Sequence, residues 1–300
     1  MDPDPTLSKE FVSRLNEKRP DGGLLLLPKE PLYHYTTAGG FEGIVRTRAM
    51  RATNFSFMND PSEIVYGRDL VLQLLKKCKE VNEPDIVEAL NMVDSDLQHL
   101  SEIYVASFSS AKDDLSQWRA YGAGTPARYA LGFEASDIQK ATIRRSSHYV
   151  RFLPVVYEEK EQSDGIQLVL DVGVEFLRNK MKVNPPALLS DLATVLSAEL
   201  LRMLPGLKEP AYRAEREWRV VILLNPGVHK DLGFDTSRGV IRPYALFRIQ
   251  TKEGQPLQLK SLTVLAPARS EAAVKAAGMV LKDVGIVGVV PRPSGIPFAE

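Results

Sequence analysis

The segment that most restricts how this chain can fold is Glu217–Leu224, Glu-Trp-Arg-Val-Val-Ile-Leu-Leu. Its apolar run is closed by Pro226-Gly227, so it reads as a buried strand, the strongest in the chain. The start of that strand is charged, with Glu215-Arg216-Glu217-Trp218-Arg219. In an extended backbone Glu215 and Glu217 fall on one face, because strand side chains alternate with period two. Salt bridges at the strand start would account for these residues. A carboxylate at the mouth of a buried strand is also rigidly aimed, as a catalytic group must be.

Shorter strands are expected at Leu32–Tyr35, Ile103–Ser109, Arg128–Phe133, Val150–Tyr157, Ser261–Leu265 and Gly285–Val290. Helices are expected at Leu7–Lys18, after Tyr35 on the spacing of Phe41, Ile44 and Val45, and from Asp60 onward with Leu70, Val71, Leu74, Leu75 and Cys78 on one stripe. Further helices are expected around Trp118, over 166–180, over 187–204 up to Pro205-Gly206, and over 271–282. Strands and helices mix without a regular βαβ alternation. The fold class is therefore α+β with antiparallel pairing. The pattern divides the chain into a peripheral N-terminal helix and linker, residues 1–31, and a single α+β domain, residues 32–300.

Composition excludes several function classes. Lys+Arg and Asp+Glu both number 38, so no basic excess points to a polyanion. The one cysteine, Cys78, rules out a disulfide framework and reads as a buried structural thiol. The four histidines (34, 99, 148, 229) lack metal-ligand spacing, so no metal is expected. The opening Met-Asp-Pro-Asp-Pro is the reverse of a signal peptide and the apolar run Leu24–Leu27 is too short to span a bilayer; the expectation is a cytoplasmic protein with no membrane role. Neither a Walker loop nor Gly-x-Gly-x-x-Gly is present, and Gly122-Ala123-Gly124 precedes a strand, the reverse of dinucleotide-loop order.

Four other clusters carry polar chemistry. In Tyr33-His34-Tyr35-Thr36, His34 and Thr36 point to one side of a strand and the tyrosines to the other. The pair His34 and Thr36 suits hydrogen bonding to a sugar hydroxyl. Asn59-Asp60-Pro61-Ser62-Glu63 is complete as a helix start, with Asp60 as cap, Pro61 at the first turn and Glu63 three residues after the cap. Asp113 and Asp114 can likewise cap the helix of Ser116-Gln117-Trp118-Arg119-Ala120-Tyr121. Trp118 reads as a core anchor. Arg119 and Tyr121 suit packing and a nucleotide's ring and phosphate equally.

On these motifs, with Ser107-Phe108-Ser109 added, the chain resembles over residues 32–297 a widespread bacterial family catalogued only as a domain of unknown function. It also resembles ADP-ribosyltransferases of the DNA-modifying toxin type, on Tyr33-His34-Tyr35-Thr36, Ser107-Phe108-Ser109 and Glu215-Arg216-Glu217. The second resemblance implies a split, mainly antiparallel sheet flanked by helices, with NAD as substrate and an acceptor that is protein, nucleic acid or water. It implies that Glu217 stabilises the oxocarbenium-like state formed when nicotinamide leaves ribose, and that Glu215 orients the acceptor. His34 and Thr36 would hold ribose hydroxyls and Tyr121 or Tyr35 would stack on nicotinamide, in a cleft lined also by Ser107, Ser109 and Arg119. Two rivals remain open: a ligand-sensing or protein-interaction module, in a phage-defence or toxin system, and a metal-dependent nuclease built on Asp60, Glu63, Asp113 and Asp114. In the interaction reading Glu217 is paired to an arginine.

Overall fold

The computed structural model describes residues 4–19, 27–58, 62–98, 103–121, 124–143, 149–182, 189–224, 232–236, 239–249 and 258–297. The expected features at Asn59, Asp60, Pro61, Gly122, Ala123, Pro226 and Gly227 lie outside these residues.

The chain is a single mixed domain, a mainly antiparallel open sheet flanked by helices. In order, the described elements are α1 (Pro5–Lys18), β1 (Leu32–Thr37), α2 (Ala38–Thr47), β2 (Ala49–Asn54), α3 (Ser62–Glu80), α4 (Pro84–Leu97), β3 (Ile103–Ser109), α5 (Leu115–Ala120), β4 (Arg128–Phe133) and α6 (Ala135–Ile143). There follow β5 (Tyr149–Pro154), α7 (Glu159–Met181), α8 (Leu189–Met203), β6 (Glu217–Leu223), β7 (Leu232–Asp235), β8 (Arg242–Arg248), β9 (Ser261–Leu265), α9 (Ser270–Asp283) and β10 (Arg292–Pro293).

The sheet runs β10-β9-β4-β1-β3-β2-β8-β7, with β6 paired to both β3 and β5. Strand β3 is its fork. One edge pairs with β6 along its whole length, from Ile103↔Leu223 to Ser109↔Glu217. The other edge is shared, by β1 at Tyr33↔Ser109 and by β2 at Thr53↔Val105 and Asn54↔Tyr104. Among the described strands, only β10 runs parallel to its neighbour, β9.

Because paired residues share a face, these registers sort the side chains into two sets. One face carries Ile103, Val105, Ser107 and Ser109 of β3, with Glu217, Arg219 and Val221 of β6 and Tyr33 and Tyr35 of β1. The apolar part of this face packs under α1, α3, α4, α7 and α8, a core that includes Phe11, Leu75, Leu90, Phe176 and Leu196. The opposite face carries His34, Phe108, Phe152, Val220 and Ile222, covered by α2, α6 and α9 through Phe41, Ile138 and Leu281.

Two expectations are corrected. Helix α1 is not peripheral, since Leu7, Phe11 and Leu15 are buried in the main core and Phe11 meets Phe176 edge-on at 5.5 Å. Residues 285–290 form no strand. Gly285 and Gly288 sit at φ 73° and 85°, outside the extended region, and Val287 and Val290 are exposed, while Ile286 is buried in the core and Val289 packs partly buried against it.

Candidate functional site

On the helix-bundle face the apolar pattern of β3 and β6 gives way, at one end, to Ser107, Ser109, Glu217 and Arg219. Here the sheet meets the N-terminal turn of α3 and the segment after α8, a 3-10 turn at Leu204–Gly206 followed by a second at Pro210–Glu215. Five charged side chains converge in that junction.

Arg219, fully buried, is the hub. Its Nη2 donates to Glu63 Oε2 at 2.7 Å and to Glu217 Oε2 at 2.5 Å, and its Nη1 donates to the Pro205 carbonyl at 2.8 Å. Lys208 is the second cation, its Nζ 2.8 Å from Glu63 Oε1, 2.5 Å from Glu215 Oε2 and 3.3 Å from Glu217 Oε2. The same ammonium lies 4.8 Å from the centre of the Tyr212 ring, a cation–π contact. Gln162 holds the lysine's backbone in place by donating Nε2 to the carbonyls of Val156 and Lys208, 2.7 Å each, while Tyr66 Oη donates to Gln162 Oε1 at 2.6 Å.

Three carboxylates (Glu63, Glu215, Glu217) face two cations (Lys208, Arg219), which leaves one formal negative charge. Burial by itself pushes the Glu217 carboxyl up, but Arg219 and Lys208 outweigh it and hold the group below the usual carboxylate range. Its backbone N–H donates to Tyr157 Oη at 3.0 Å, and burial pushes that phenol up to about 12. Glu217 is 3% exposed, and the Ser107 hydroxyl is a further group that lowers its carboxyl. Glu215, at the half-exposed side of the cluster, is shifted the other way: burial raises its carboxyl despite the Lys208 hydrogen bond. The Tyr121 phenol is raised by burial and then by the negative charge of Glu217; its helix α5 meets the cluster where Gln117 Nε2 donates to the Glu215 carbonyl at 3.4 Å.

The residues singled out in the sequence thus divide. Glu217, Glu215, Ser107 and Tyr121 come together. Ser109 is adjacent but structural: its Oγ donates to the Glu215 carbonyl at 2.6 Å and accepts from Ala111 N at 3.0 Å. Tyr35 is structural too. Its hydroxyl donates to the Ala111 carbonyl at 2.7 Å and accepts from Asp114 N at 3.2 Å, with its ring edge-on to Trp118. Arg119 is exposed on α5.

His34 and Thr36 are not brought to this cluster; they sit on the opposite face of the sheet. His34 Nδ1 donates to the Ser107 carbonyl at 2.9 Å and its ring lies 5.8 Å from that of Phe108. Burial lowers its pKa, so the imidazole is neutral. The hydroxyl of Thr36 lies against the first turn of α2, so close that a β-carbon on Gly40 would meet it at 2.0 Å.

Glu63 is expected as part of a helix start whose cap, Asp60, lies outside the described residues. The Glu63 carboxylate is committed to Lys208 and Arg219, which joins α3 to β6. Asp114 is the cap of α5, accepting from Ser116 N at 2.9 Å and Gln117 N at 3.3 Å. Trp118 is fully buried, as expected of a core anchor. The nuclease set does not assemble among the described residues, since Glu63 is bound into the ion cluster while Asp113 accepts from Trp118 Nε1, Ser294 Oγ and Gly295 N.

Sequence reasoning missed Lys208 altogether. It stands in Leu207-Lys208-Glu209-Pro210 with no periodicity or partner spacing to mark it.

Residues 117–220 match the family model of a protein of unknown function, DUF2971. The matched stretch holds Tyr121, Tyr157, Lys208, Glu215, Glu217 and Arg219, and leaves Glu63 and Ser107 outside. No curated protein and no solved structure matches the chain. Among the described residues no helix is long and apolar enough to cross a membrane.

Proposed function

We propose that the Glu217 cluster cleaves the nicotinamide–ribose bond of NAD and passes ADP-ribose to an acceptor or to water. The observation that carries this reading is the state of Glu217, a buried carboxylate kept ionised by Arg219 and Lys208, both on Oε2, with the Ser107 hydroxyl acting on the same group. Charge that develops on a ribose as its leaving group departs is stabilised by such a fixed, pre-ionised group. Glu215 supplies the complementary role. Two neighbouring carboxyls whose environments push them in opposite directions divide into a permanent anion and a proton-handling group, so Glu215 takes the acceptor's proton. Tyr121 provides the ring for nicotinamide, and Ser107 lies next to Glu217 on the same face. His34 and Thr36 have no part in this set; they brace β1 against β3 and α2.

A second reading has one observation in its favour. The pairing of Glu217 to Arg219 and Lys208 is what a rigid interaction module would use to lock β6 to α3. Nicotinamide release from NAD separates the two. Under the catalytic reading, Glu217→Gln abolishes release while Lys160→Ala, on the exposed side of α7, leaves it intact. Absence of NAD binding at millimolar ligand would rule the catalytic reading out and leave the interaction module.

A further inference from the structure

The segment that follows α9 returns across the sheet and ends on the loop that carries α5. Arg292–Pro293 adds to β9 in parallel, and Ser294 N donates to the Val264 carbonyl at 2.8 Å. The chain then meets Asp113. That carboxylate accepts from three groups at once: Trp118 Nε1 at 2.9 Å and Ser294 Oγ at 2.5 Å on Oδ1, and Gly295 N at 2.8 Å on Oδ2. Ile296 N donates back to Ser294 Oγ at 3.1 Å, and the Ile296 side chain packs on the cluster of Tyr33, Tyr35, Trp118, Ala130 and Leu265. Tyr121 packs on that same cluster.

Asp113 occupies the left-handed region, with φ 52°, where aspartate is one of the few side-chain-bearing residues found. Its neighbour Asp114 caps the helix in the ordinary way, so capping does not explain the unusual backbone at 113. The three hydrogen bonds do.

We infer that residues 292–296 form a strap that fixes Tyr121 and the end of α5 where Gln117 Nε2 meets the Glu215 carbonyl at 3.4 Å, with Asp113 as the positioning residue that couples the strap to α5. The path is short: strap to Asp113, Asp113 to the Trp118 indole, and Trp118 to Tyr121 three residues on, along the same turn, whose backbone N–H is tied to the Gln117 carbonyl at 3.0 Å. What Tyr121 does there rests on the NAD reading above; where it is held does not.

The test uses the full chain labelled with 13C in the tyrosine rings. Tyr121 and Tyr157 both report on the Glu217 cluster, but only Tyr121 is reached through the strap. In Ser294→Ala and in Asp113→Asn, which keeps a left-handed-tolerant residue but loses the acceptor for Gly295 N, the Tyr121 resonance is expected to move toward its unfolded position. The Tyr157 resonance should stay. Amide exchange at 118 and 121 should rise roughly tenfold, with that of β6 unchanged, since a locally released segment opens independently of the core. Ser294→Thr keeps the hydroxyl and should behave as the unaltered chain. An unmoved Tyr121 would overturn the inference, and so would equal movement of Tyr121 and Tyr157. A chain that cleaves no NAD would end the catalytic reading while this readout still decides the strap.

Discussion

Arg219→Met tests whether the charge cluster is held together as described. Methionine keeps much of the arginine's length and removes its charge, at a site with no exposure to solvent. Three hydrogen bonds go with the guanidinium, to Pro205, Glu63 and Glu217. The cluster is left with three carboxylates around Lys208 alone. Breaking a buried pair from one side leaves an uncompensated charge and costs about 3–5 kcal/mol. Set against a total stability of about 5–15 kcal/mol, that is a large but survivable loss.

The sign with pH follows from Glu217. In the unaltered chain its pKa is below the ordinary value, so it contributes stability at neutral pH that is lost as pH falls through the folded-state value. Without Arg219, burial outweighs the remaining attraction of Lys208 at 3.3 Å, and the folded-state pKa rises above that of the unfolded chain. The variant then binds more protons folded than unfolded, so its stability increases as pH is lowered. Urea unfolding at pH 8 and pH 5.5 should therefore show a larger deficit at the higher pH. Adding Glu63→Gln and Glu217→Gln to Arg219→Met should restore at least half of the loss at pH 8. A deficit below about 1 kcal/mol would refute the assignment of Arg219 as a buried hub, since that is the scale of an exposed pair. A deficit equal at both pH values would refute the electrostatic account.

Gly173→Ala in α7 should destabilise by about 1–3 kcal/mol in thermal melts, because the new β-carbon would lie 2.7 Å from Leu196 Cδ1 and 2.9 Å from Cδ2 on α8. Alanine in an open helix position would instead stabilise, so a raised melting temperature would show that α7 and α8 are not packed this closely. Asp114→Ala should lower stability by about 1 kcal/mol through loss of the α5 cap, measured by urea unfolding, and no change would mean that Ser116 N and Gln117 N find other acceptors.

The elements that could be read from sequence are those whose signal is local. Strands β3, β4 and β9 fall where alternation and bounding turns place them, and α2 follows from Phe41, Ile44 and Val45. Strands β2, β7 and β8 carry no such local signal. In β2 the run Ala-Met-Arg-Ala-Thr-Asn has little apolar weight, and its burial comes from pairing with β8 nearly two hundred residues away. Glu63 reads as part of a capping pair because Asp60-Pro61-Ser62-Glu63 is self-sufficient as a helix start. Its actual partners lie 145 and 156 residues further on, at Lys208 and Arg219, and nothing local announces them.

His34 shows where local reasoning meets its boundary. Alternation alone puts His34 and Thr36 on one side of β1 and Tyr33 and Tyr35 on the other, which the structure bears out. Which side faces Glu217 is a different question, because it depends on two registers in succession, β1 to β3 and β3 to β6. A slip of one residue in either would exchange the sets. With Tyr33 opposite Ser109 and Ser109 opposite Glu217, the tyrosines share the glutamate's face and the histidine does not. The motif with the strongest look of a sugar-binding pair therefore braces the fold. Tyr121, after a buried Trp118, suits packing and a nucleotide's ring equally in the sequence, and it is the one that feels the carboxylates' charge. The cluster is least buried at Glu215 and Tyr121, so the catalytic reading requires a ligand to approach there and not from β1's outer face.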